Sequence, residues 1–311
     1  MLRRLLPLIV AIVGLLALFR CLWPNFLDAY NLLDVIQQIS VNAILAFGMT
    51  MVILIGGIDL SVGALLALAG TVTTYALMPA GWHAGLTISL LAGFGVAALF
   101  GLFHGVTAAK TGMPPFIITL GTMLVARGLA LGFNEGRPMP IPRSETLLLS
   151  IGNGRIADVI PVPVVIMLLT FVLCAATLHF TVFGRHLYAI GNSRLAALYS
   201  GIHVVRCEII VYLIASLLTA VAGLIHTSQL FTAEPASGEG FELNAIAAAV
   251  VGGASLQGGR GSMTGTLLGA IIIGILAKGL NQSQVANFWQ YIIKGAVILV
   301  AVGLDSWKKK Q

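Results

Sequence analysis

The sequence has very few charged residues, and this deficit is the first constraint on the class of protein. Lysine, arginine, aspartate and glutamate make up 9% of the 311 residues, whereas a soluble globular chain carries about 25%. Hydrophobic residues account for 58%, which is more apolar surface than one compact soluble core of this length can bury. A water-soluble enzyme is therefore a poor fit, and the composition indicates a polytopic helical membrane protein.

Cysteines and catalytic motifs are also lacking. The three cysteines, Cys21, Cys174 and Cys207, are odd in number and far apart, so neither a disulfide framework nor a metal cluster is expected. The chain has no G-x-x-x-x-G-K-[ST] loop, so any ATP dependence must come from another subunit. It also has no H-E-x-x-H and no G-x-S-x-G motif. We therefore predict no catalytic residue, no metal site and no cofactor in this chain. The sequence contains no recognisable set of catalytic residues for an intramembrane enzyme.

Long apolar runs are abundant instead. A lipid-crossing helix needs about 20 mostly apolar residues, and we predict about ten spans in one all-α transmembrane domain over residues 1–311. The predicted spans are 5–22, 39–57, 60–78, 85–107, 115–133, 160–180, 208–230, 242–258, 262–281 and 287–304. At the glycine-rich joints 57–60 and 258–262, one continuous or broken helix is the alternative to two spans. A cleaved signal peptide is the alternative for the first span, but no small-residue cleavage site follows it.

The basic residues are distributed unevenly between the two sides of the membrane. With the N-terminus inside, ten of the 17 lysines and arginines fall in cytoplasmic segments and three in external loops. This is the positive-inside bias, and it predicts that both termini are cytoplasmic. The bases are scattered except at Lys308–Lys310, so the net charge of +6 reflects topology, and nucleic acid is not expected as a partner.

Two loops stand out from the apolar background. The external loop 134–159 has three prolines and mixed charges, and it is long enough to meet a soluble partner. The cytoplasmic loop 181–207 is the longest on its side. A short helix is predicted over Arg194–Tyr199, because Asn192 and Ser193 are good N-cap residues and Gly201 is a good stop.

Two segments of the chain are similar to each other in sequence. Sliding residues 42–68 by 202 positions onto 244–270 gives ten identities in 27 positions. Repeated transmembrane units are common in transporters, and the substrate path lies near the repeat interface. We therefore predict an internal repeat within the bundle.

Polar residues inside the spans are candidates for function, because they are costly in lipid. Arg127 is a buried charge about 12 residues into the fifth span, and a structural bond to a neighbouring helix is its alternative role. Asp59 can cap the third helix or take part in the substrate path. Uncharged polar groups would suit a neutral polyol or sugar, with interhelical hydrogen bonding as the alternative. The candidates for the translocation path are Asn42, Thr50, Asp59, Ser61, Phe116, Thr119, Thr122 and Asn244.

Three ordered motifs resemble those of one family. They are Gly48–Thr50 continued through GGIDLSVG at 56–63, PFIITLG at 115–121 with Arg127 and Gly128, and the segment 238–265. They are similar to the permease subunits of ribose-type bacterial ABC sugar importers, and the resemblance runs from about Pro24 to Asp305. It implies import of a monosaccharide across the inner membrane. Ribose is the first expectation, and another pentose, a hexose or a sugar-like signalling molecule is the alternative.

The resemblance also implies a set of partners. These are two ATP-binding subunits that hold ATP and Mg, a periplasmic sugar-binding protein, and a second permease copy, for which a homodimer is the simplest arrangement. Loop 181–207 resembles the segment that couples such permeases to the ATPase. The matching residues are Gly191, Asn192, Arg194, Ala196, Ala197 and Gly201. An ion-gradient-driven carrier for a neutral solute is the rival interpretation, although the spans lack a chain of acidic residues for proton relay.

Overall fold

The computed structural model describes residues 2–308, and their architecture is an all-α membrane bundle. In this part of the chain there are thirteen helices and four short strands. The helices are α1 (Leu2–Leu22), α2 (Ala29–Leu54), α3 (Val62–Leu77), α4 (Leu86–Thr111), α5 (Pro115–Gly132), α6 (Thr146–Asn153), α7 (Val162–Phe180), α8 (Val182–Asn192), α9 (Arg194–Tyr199), α10 (Val204–Gln229), α11 (Phe241–Val251), α12 (Met263–Gln282) and α13 (Asn287–Lys308). The strands are β1 (Met139–Pro140), β2 (Arg155–Ile156), β3 (Ile160–Pro161) and β4 (Thr232–Ala233).

The strands form two antiparallel pairs. Strand β1 pairs with β4, with Met139 opposite Ala233, and β2 pairs with β3, with Arg155 opposite Pro161. The first pair joins two loops that are almost a hundred residues apart in the sequence. It therefore fixes the loop after α10 to the loop after α5.

Every predicted span has a helical counterpart, but the helices differ in length. Among the described residues, seven helices are long and apolar enough to cross a membrane: α1 from Leu5, α2, α4, α5, α7, α10 and α12. Helices α3 and α11 have 16 and 11 residues, and 11 residues rise only about 16 Å, roughly half of a 30 Å hydrocarbon core. The polytopic helical class is confirmed, whereas the number of ten spans stays a prediction.

The predicted span 242–258 is wrong in its extent. Helix α11 ends at Val251, and residues 252–262 form a non-helical joint before α12. Gly253, Gly258 and Gly259 in this joint have φ between 71° and 94°, a region that side chains other than glycine rarely adopt. The chain also breaks at residues 55–61 between α2 and α3, so neither glycine-rich joint is crossed by a continuous helix.

The two joints lie against each other. The Gly259 amide donates to the Leu54 carbonyl oxygen at 2.9 Å, and a Cβ on Gly258 would lie 3.0 Å from the Gly56 nitrogen. Both halves of the predicted repeat therefore consist of a helix, a glycine-containing joint and a second helix. The internal repeat itself stays a prediction.

Helix α2 forms the centre of the core. Almost all of its residues from Val41 to Leu54 are buried, and it packs against α10, α11, α12 and α7. Small residues allow close approach: a Cβ on Gly48 would lie 3.0 Å from the Ala215 Cα, and one on Gly105 would lie 2.5 Å from the Ile209 Cα. Such close contacts are the usual way in which helices associate in lipid.

The connecting segments collect on two opposite faces of the bundle. Residues 55–57, 108–115 and 258–261 meet α8 and α9, and we call this the α8 face. Residues 139–153 meet residues 228–233 at the other end, which we call the α6 face; there the Ile141 amide donates to the Phe231 carbonyl oxygen at 3.1 Å. These are the two groups of segments that the predicted topology places on opposite sides of the membrane.

The two long loops are more ordered than the sequence indicates. Loop 134–159 contains the helix α6, whose Gly152 packs against Ser228 of α10. Loop 181–207 contains α9 over Arg194–Tyr199, as predicted, with the Ser193 hydroxyl accepting from the Ala196 amide at 3.2 Å. It also contains α8, capped by Thr181, which was not predicted as a separate element.

Candidate functional site

The residues that couple α8 to the bundle point inward. A Cβ on Gly191 would overlap the Leu54 carbonyl oxygen and the Gly259 nitrogen, so the α8 backbone touches the C-terminal end of α2 and the α11–α12 joint at once. The Asn192 side chain lies against Gly259, where a Cβ would come within 2.5 Å of Asn192 Oδ1. Only glycine permits this approach at position 191. Movement of α8 would therefore reach α2 and the α11–α12 joint through backbone contact.

The α8 segment is held to the second joint by a tyrosine as well. The Tyr188 hydroxyl donates to the Gly261 carbonyl oxygen at 2.9 Å. Burial raises the pKa of Tyr188 above its usual value, so the hydroxyl stays protonated and remains a donor. This bond adds a side-chain contact to the backbone contacts of Gly191.

Helix α9 presents an apolar surface away from the bundle. Leu195, Leu198 and Tyr199 are 65%, 52% and 86% exposed, whereas Ala197 is buried beneath them at 3%. Ala196 and Gly201 are exposed, and Gly201 has φ of +81° with open space around it, which ends the segment. Exposed apolar groups on so short a helix are typical of a protein interface. The resemblance pointed to the alanines here, while the large exposed side chains were missed.

Arg194 is fixed to the start of α10 by an ion pair. Its Nε and Nη2 atoms donate to the two carboxylate oxygens of Glu208 at 2.8 and 3.2 Å. The hydrogen bond to Glu208 raises the pKa of Arg194 above its usual value. The two-pronged geometry orients the guanidinium, and Nη2 also reaches the Ala109 carbonyl oxygen at 3.5 Å. Glu208 was not identified from the sequence, because nothing in its spacing marks it as the partner of Arg194.

A pocket of about 610 Å³ opens at the α8 face beside this ion pair. Its lining residues are Ile55, Gly56, Gly57, Ala108, Ala109, Lys110, Thr111, Gly112, Met113, Pro114, Pro115, Arg194, Glu208 and Tyr212. The pocket therefore joins the first joint, the turn between α4 and α5, and the start of α9.

The first joint is held by polar contacts, only some of which could be predicted from the sequence. Asp59 is 1% exposed, and its Oδ1 accepts from the Ser61 amide at 2.8 Å and from the Ser61 hydroxyl at 2.6 Å. The carboxylate therefore accepts from the N–H of Ser61, the residue just before α3 begins. It does not accept from an N–H within the first turn of α3, as the predicted helix cap would. Thr119 of α5 accepts from the Leu60 amide at 3.1 Å and donates to the Ile58 carbonyl oxygen at 3.2 Å. These contacts fasten the joint to α5.

Two further path candidates bond to neighbouring helices. Thr50 Oγ1 is 2.8 Å from the Ala46 carbonyl oxygen and 2.6 Å from Thr266 Oγ1, so it links α2 to α12. Thr122 Oγ1 is 2.6 Å from His104 Nε2, which links α5 to α4. In this conformation both hydroxyls make interhelical hydrogen bonds, which was the predicted alternative to a place in the translocation path.

The remaining path candidates are more open. Asn42 and Asn244 are half-buried, and Asn42 Oδ1 has no hydrogen-bond partner among the described residues. Phe116 is 47% exposed on α5. Along that helix, Leu124 and Val125 are 67% and 55% exposed, which leaves one apolar face of α5 uncovered by the rest of this chain.

Arg127 supports an irregular segment at membrane depth. Its Nη1 atom donates to the carbonyl oxygens of Pro235 and Ser237 at 2.6 and 2.7 Å. Residues 234–240 are not helical, and Gly238 packs against Gly63 in the first turn of α3. The segment therefore descends from the β1–β4 pair at the α6 face to the level at which α3 begins. Non-helical backbone at such depth is tolerated only inside protein or along a water-filled cavity.

The acidic residues near Arg127 were not among the predicted site residues. Glu239 and Glu242 are close enough to interact electrostatically with the guanidinium. Glu239 is exposed, and Glu242 is half-buried, with its Oε1 accepting from the Gly240 amide at 3.2 Å. A carboxylate that is exposed at membrane depth would be costly against lipid. This side of the bundle is therefore suited to face water or a second protein.

Comparison with known proteins identifies the family of this chain. Residues 31–302 match the family model described as branched-chain amino acid transport system / permease component. The chain is 46% identical to the ribose import permease protein of Bacillus subtilis (strain 168), over 92% of this chain and 87% of that protein. It is 43% identical to the ribose import permease protein of Escherichia coli (strain K12), over 97% and 93%.

A fructose import permease protein of Rhizobium meliloti is 35% identical, over 98% of this chain and 85% of that protein. No solved structure matches the chain. The match covers the joints, α8, α9 and the Arg127 segment together. This chain therefore belongs to the branched-chain amino acid transport system / permease component family and is similar over nearly its whole length to ABC sugar import permeases.

Proposed function

We propose that this chain is the transmembrane subunit of a bacterial inner-membrane importer that moves ribose into the cytoplasm. The observation that carries the proposal is the 46% and 43% identity to two ribose import permeases, which extends over 92% and 97% of the chain. Ribose is a neutral polyol, and the half-buried polar groups within the bundle include uncharged amides such as Asn42 and Asn244. Uncharged hydrogen-bonding groups suit such a solute.

The energy for transport comes from ATP hydrolysis. Two separate ATP-binding subunits hold the ATP and Mg, and they dock at the α8 face. The exposed apolar surface of α9, made by Leu195, Leu198 and Tyr199, is the contact with the ATPase. When the ATPase closes, it shifts α9 and α8, and Gly191 transmits the shift to both joints. The bundle is then the two-state element whose equilibrium the ATPase biases. With the α8 face towards the ATPase, both termini are cytoplasmic.

The other two partners occupy the remaining surfaces. The α6 face, with its loop 134–159, receives a periplasmic sugar-binding protein. A second copy of this chain covers the exposed side of α5, which includes Phe116, Leu124 and Val125, and the sugar passes between the two copies. Glu239 then faces the region between the two copies, because this arrangement keeps the exposed carboxylate away from lipid.

Co-purification tests the class of transporter. A tagged chain is extracted gently from its native membrane, and the proteins that accompany it are identified by mass spectrometry. We expect an ATPase with a P-loop and a soluble sugar-binding protein. A chain that purifies alone, and whose uptake stops on addition of an ionophore while ATP is maintained, would identify an ion-gradient-driven carrier instead.

Uptake by the purified complex in proteoliposomes tests the substrate. With ATP inside and the binding protein outside, labelled ribose should accumulate, and unlabelled xylose or fructose should compete poorly. Strong accumulation of another sugar with none of ribose would refute the assignment of ribose while leaving the transporter class intact.

A further inference from the structure

A buried polar cluster lies directly behind the pocket, and the docking scheme above does not use it. It consists of Asp59 in the first joint, His104 on α4 and Tyr212 on α10, each of which is 1% exposed. Asp59 Oδ2, His104 Nδ1 and the Tyr212 hydroxyl have no hydrogen-bond partner among the described residues. Buried polar atoms are nearly always hydrogen-bonded, so three unpaired atoms in one cluster indicate a missing partner.

The three groups surround one small volume. His104 Nδ1 is 3.8 Å from Asp59 Oδ2, and the His104 and Tyr212 rings meet edge to face with centroids 6.1 Å apart. The Tyr212 hydroxyl lies against Gly57, two residues before Asp59. Because Gly57 and Tyr212 also line the pocket, the volume lies next to a cavity large enough to hold water.

The directions of the hydrogen bonds decide what can fill this volume. The Thr122 hydroxyl oxygen lies 3.0 and 3.2 Å from the carbonyl oxygens of Ile118 and Thr119. We assign its proton to one of these carbonyls, so that Thr122 accepts from His104 Nε2 at 2.6 Å and the proton of a neutral imidazole lies on Nε2. Nδ1 is left as an acceptor. It faces Asp59 Oδ2, a second acceptor, at a distance too long for a direct hydrogen bond.

We propose that this cluster is a binding site for one water molecule. The water donates one proton to Asp59 Oδ2 and the other to His104 Nδ1, and it accepts the proton of the Tyr212 hydroxyl. It therefore makes three hydrogen bonds, which is typical of buried water, and it satisfies all three unpaired atoms. Since these residues lie on the joint, on α4 and on α10, the water ties the joint to both helices. The inference goes beyond the proposed function and does not depend on which solute is carried.

Radiolytic footprinting tests for the water directly. Hydroxyl radicals formed from a bound water modify the side chains next to it, even where those side chains are closed to bulk solvent. In the full-length chain in lipid nanodiscs, we expect oxidation of Tyr212 but not of Phe47, which is 0% exposed in the apolar core. Exposed Tyr199 is the positive control. If Tyr212 is as unreactive as Phe47, the proposal is overturned, and a direct contact between imidazolium and carboxylate is left as the explanation.

The substitution Tyr212→Phe gives a second, independent measurement. Loss of a hydrogen bond to the water should lower the melting temperature by about 2 to 4 °C. If the hydroxyl is truly unpaired, its removal will leave the melting temperature unchanged or raise it, because an unsatisfied buried group is lost. Tyr75→Phe, in a half-buried aromatic cluster with Trp82 and Phe133, is the matched control. An unchanged or raised value for Tyr212→Phe refutes the site.

Discussion

Replacing Gly191 by alanine tests how α8 communicates with the bundle. The added methyl group would overlap the Leu54 carbonyl oxygen on one side and the Gly259 nitrogen on the other. Both obstacles are backbone atoms, so a change of side-chain rotamer cannot relieve the overlap. The substitution should therefore push α8 away from the two joints without changing the surface that α9 presents.

The magnitude follows from two opposing effects. Overpacking of a close contact costs about 1 to 3 kcal/mol, and backbone obstacles favour the upper end of that range. Alanine in place of glycine within a helix returns at most about 1 kcal/mol. The seated position of α8 should thus lose about 2 kcal/mol, which corresponds to about a thirtyfold change in the equilibrium between seated and displaced α8, at 1.4 kcal/mol for each factor of ten.

The assay is the number of sugar molecules imported for each ATP hydrolysed by the assembled complex in proteoliposomes. We expect this ratio to fall in Gly191→Ala while the complex still assembles and still hydrolyses ATP. The control is Gly95→Ala on α4, where an added Cβ meets no atom within 4 Å. If the ratio is unchanged in Gly191→Ala and the melting temperature equals that of the control, transmission through Gly191 is wrong.

Three further substitutions probe other contacts. Thr50→Val should lower the melting temperature because it removes the hydrogen bond between α2 and α12, which contributes about 0.5 to 1.5 kcal/mol, and leaves the Thr266 hydroxyl only its bond to the Ser262 carbonyl oxygen; the double variant with Thr266→Val should lose less than the sum of the two single variants, and additive losses would contradict the bond. Arg127→Leu should abolish uptake with ATPase docking retained, because two carbonyl oxygens of the irregular segment lose their donor; normal uptake would refute this role. Glu208→Gln should reduce co-purification of the ATPase only modestly, because the glutamine oxygen can still accept from Arg194 and the exposed side chains of Leu195, Leu198 and Tyr199 are unchanged; complete loss of the complex would show that the charge of Glu208 is required for docking.

Several parts of the site follow from local chemistry, and these were accessible without the structure. The helix over Arg194–Tyr199 was predicted correctly because its signals, a serine N-cap and a glycine stop, lie within the segment itself. The break at 55–61 follows from a joint whose Gly56 adopts positive φ, whereas the break after α11 begins at residue 252, before the predicted end of that span at 258. Arg127 was identified as a costly buried charge, and its alternative role, bonding to carbonyl groups, is the one that the structure gives, although those carbonyls belong to a loop and not to a helix.

The amino-acid sequence by itself determined the class of the protein, the separation of its connecting segments onto two faces, and the local helix ends, because hydropathy, charge and capping act over a few residues. Only the tertiary structure decided which residues meet. The contacts of Gly191 with Leu54 and Gly259 and the cluster of Asp59, His104 and Tyr212 join positions far apart in the chain, and the pair of Arg194 with Glu208 joins two different helices. Uniformly apolar helices carry little information about which face packs against which neighbour, since every face is compatible with lipid. The packing of small residues along α2, α4 and α10 resolves that ambiguity, and it brings the joints, the pocket and α8 to one face.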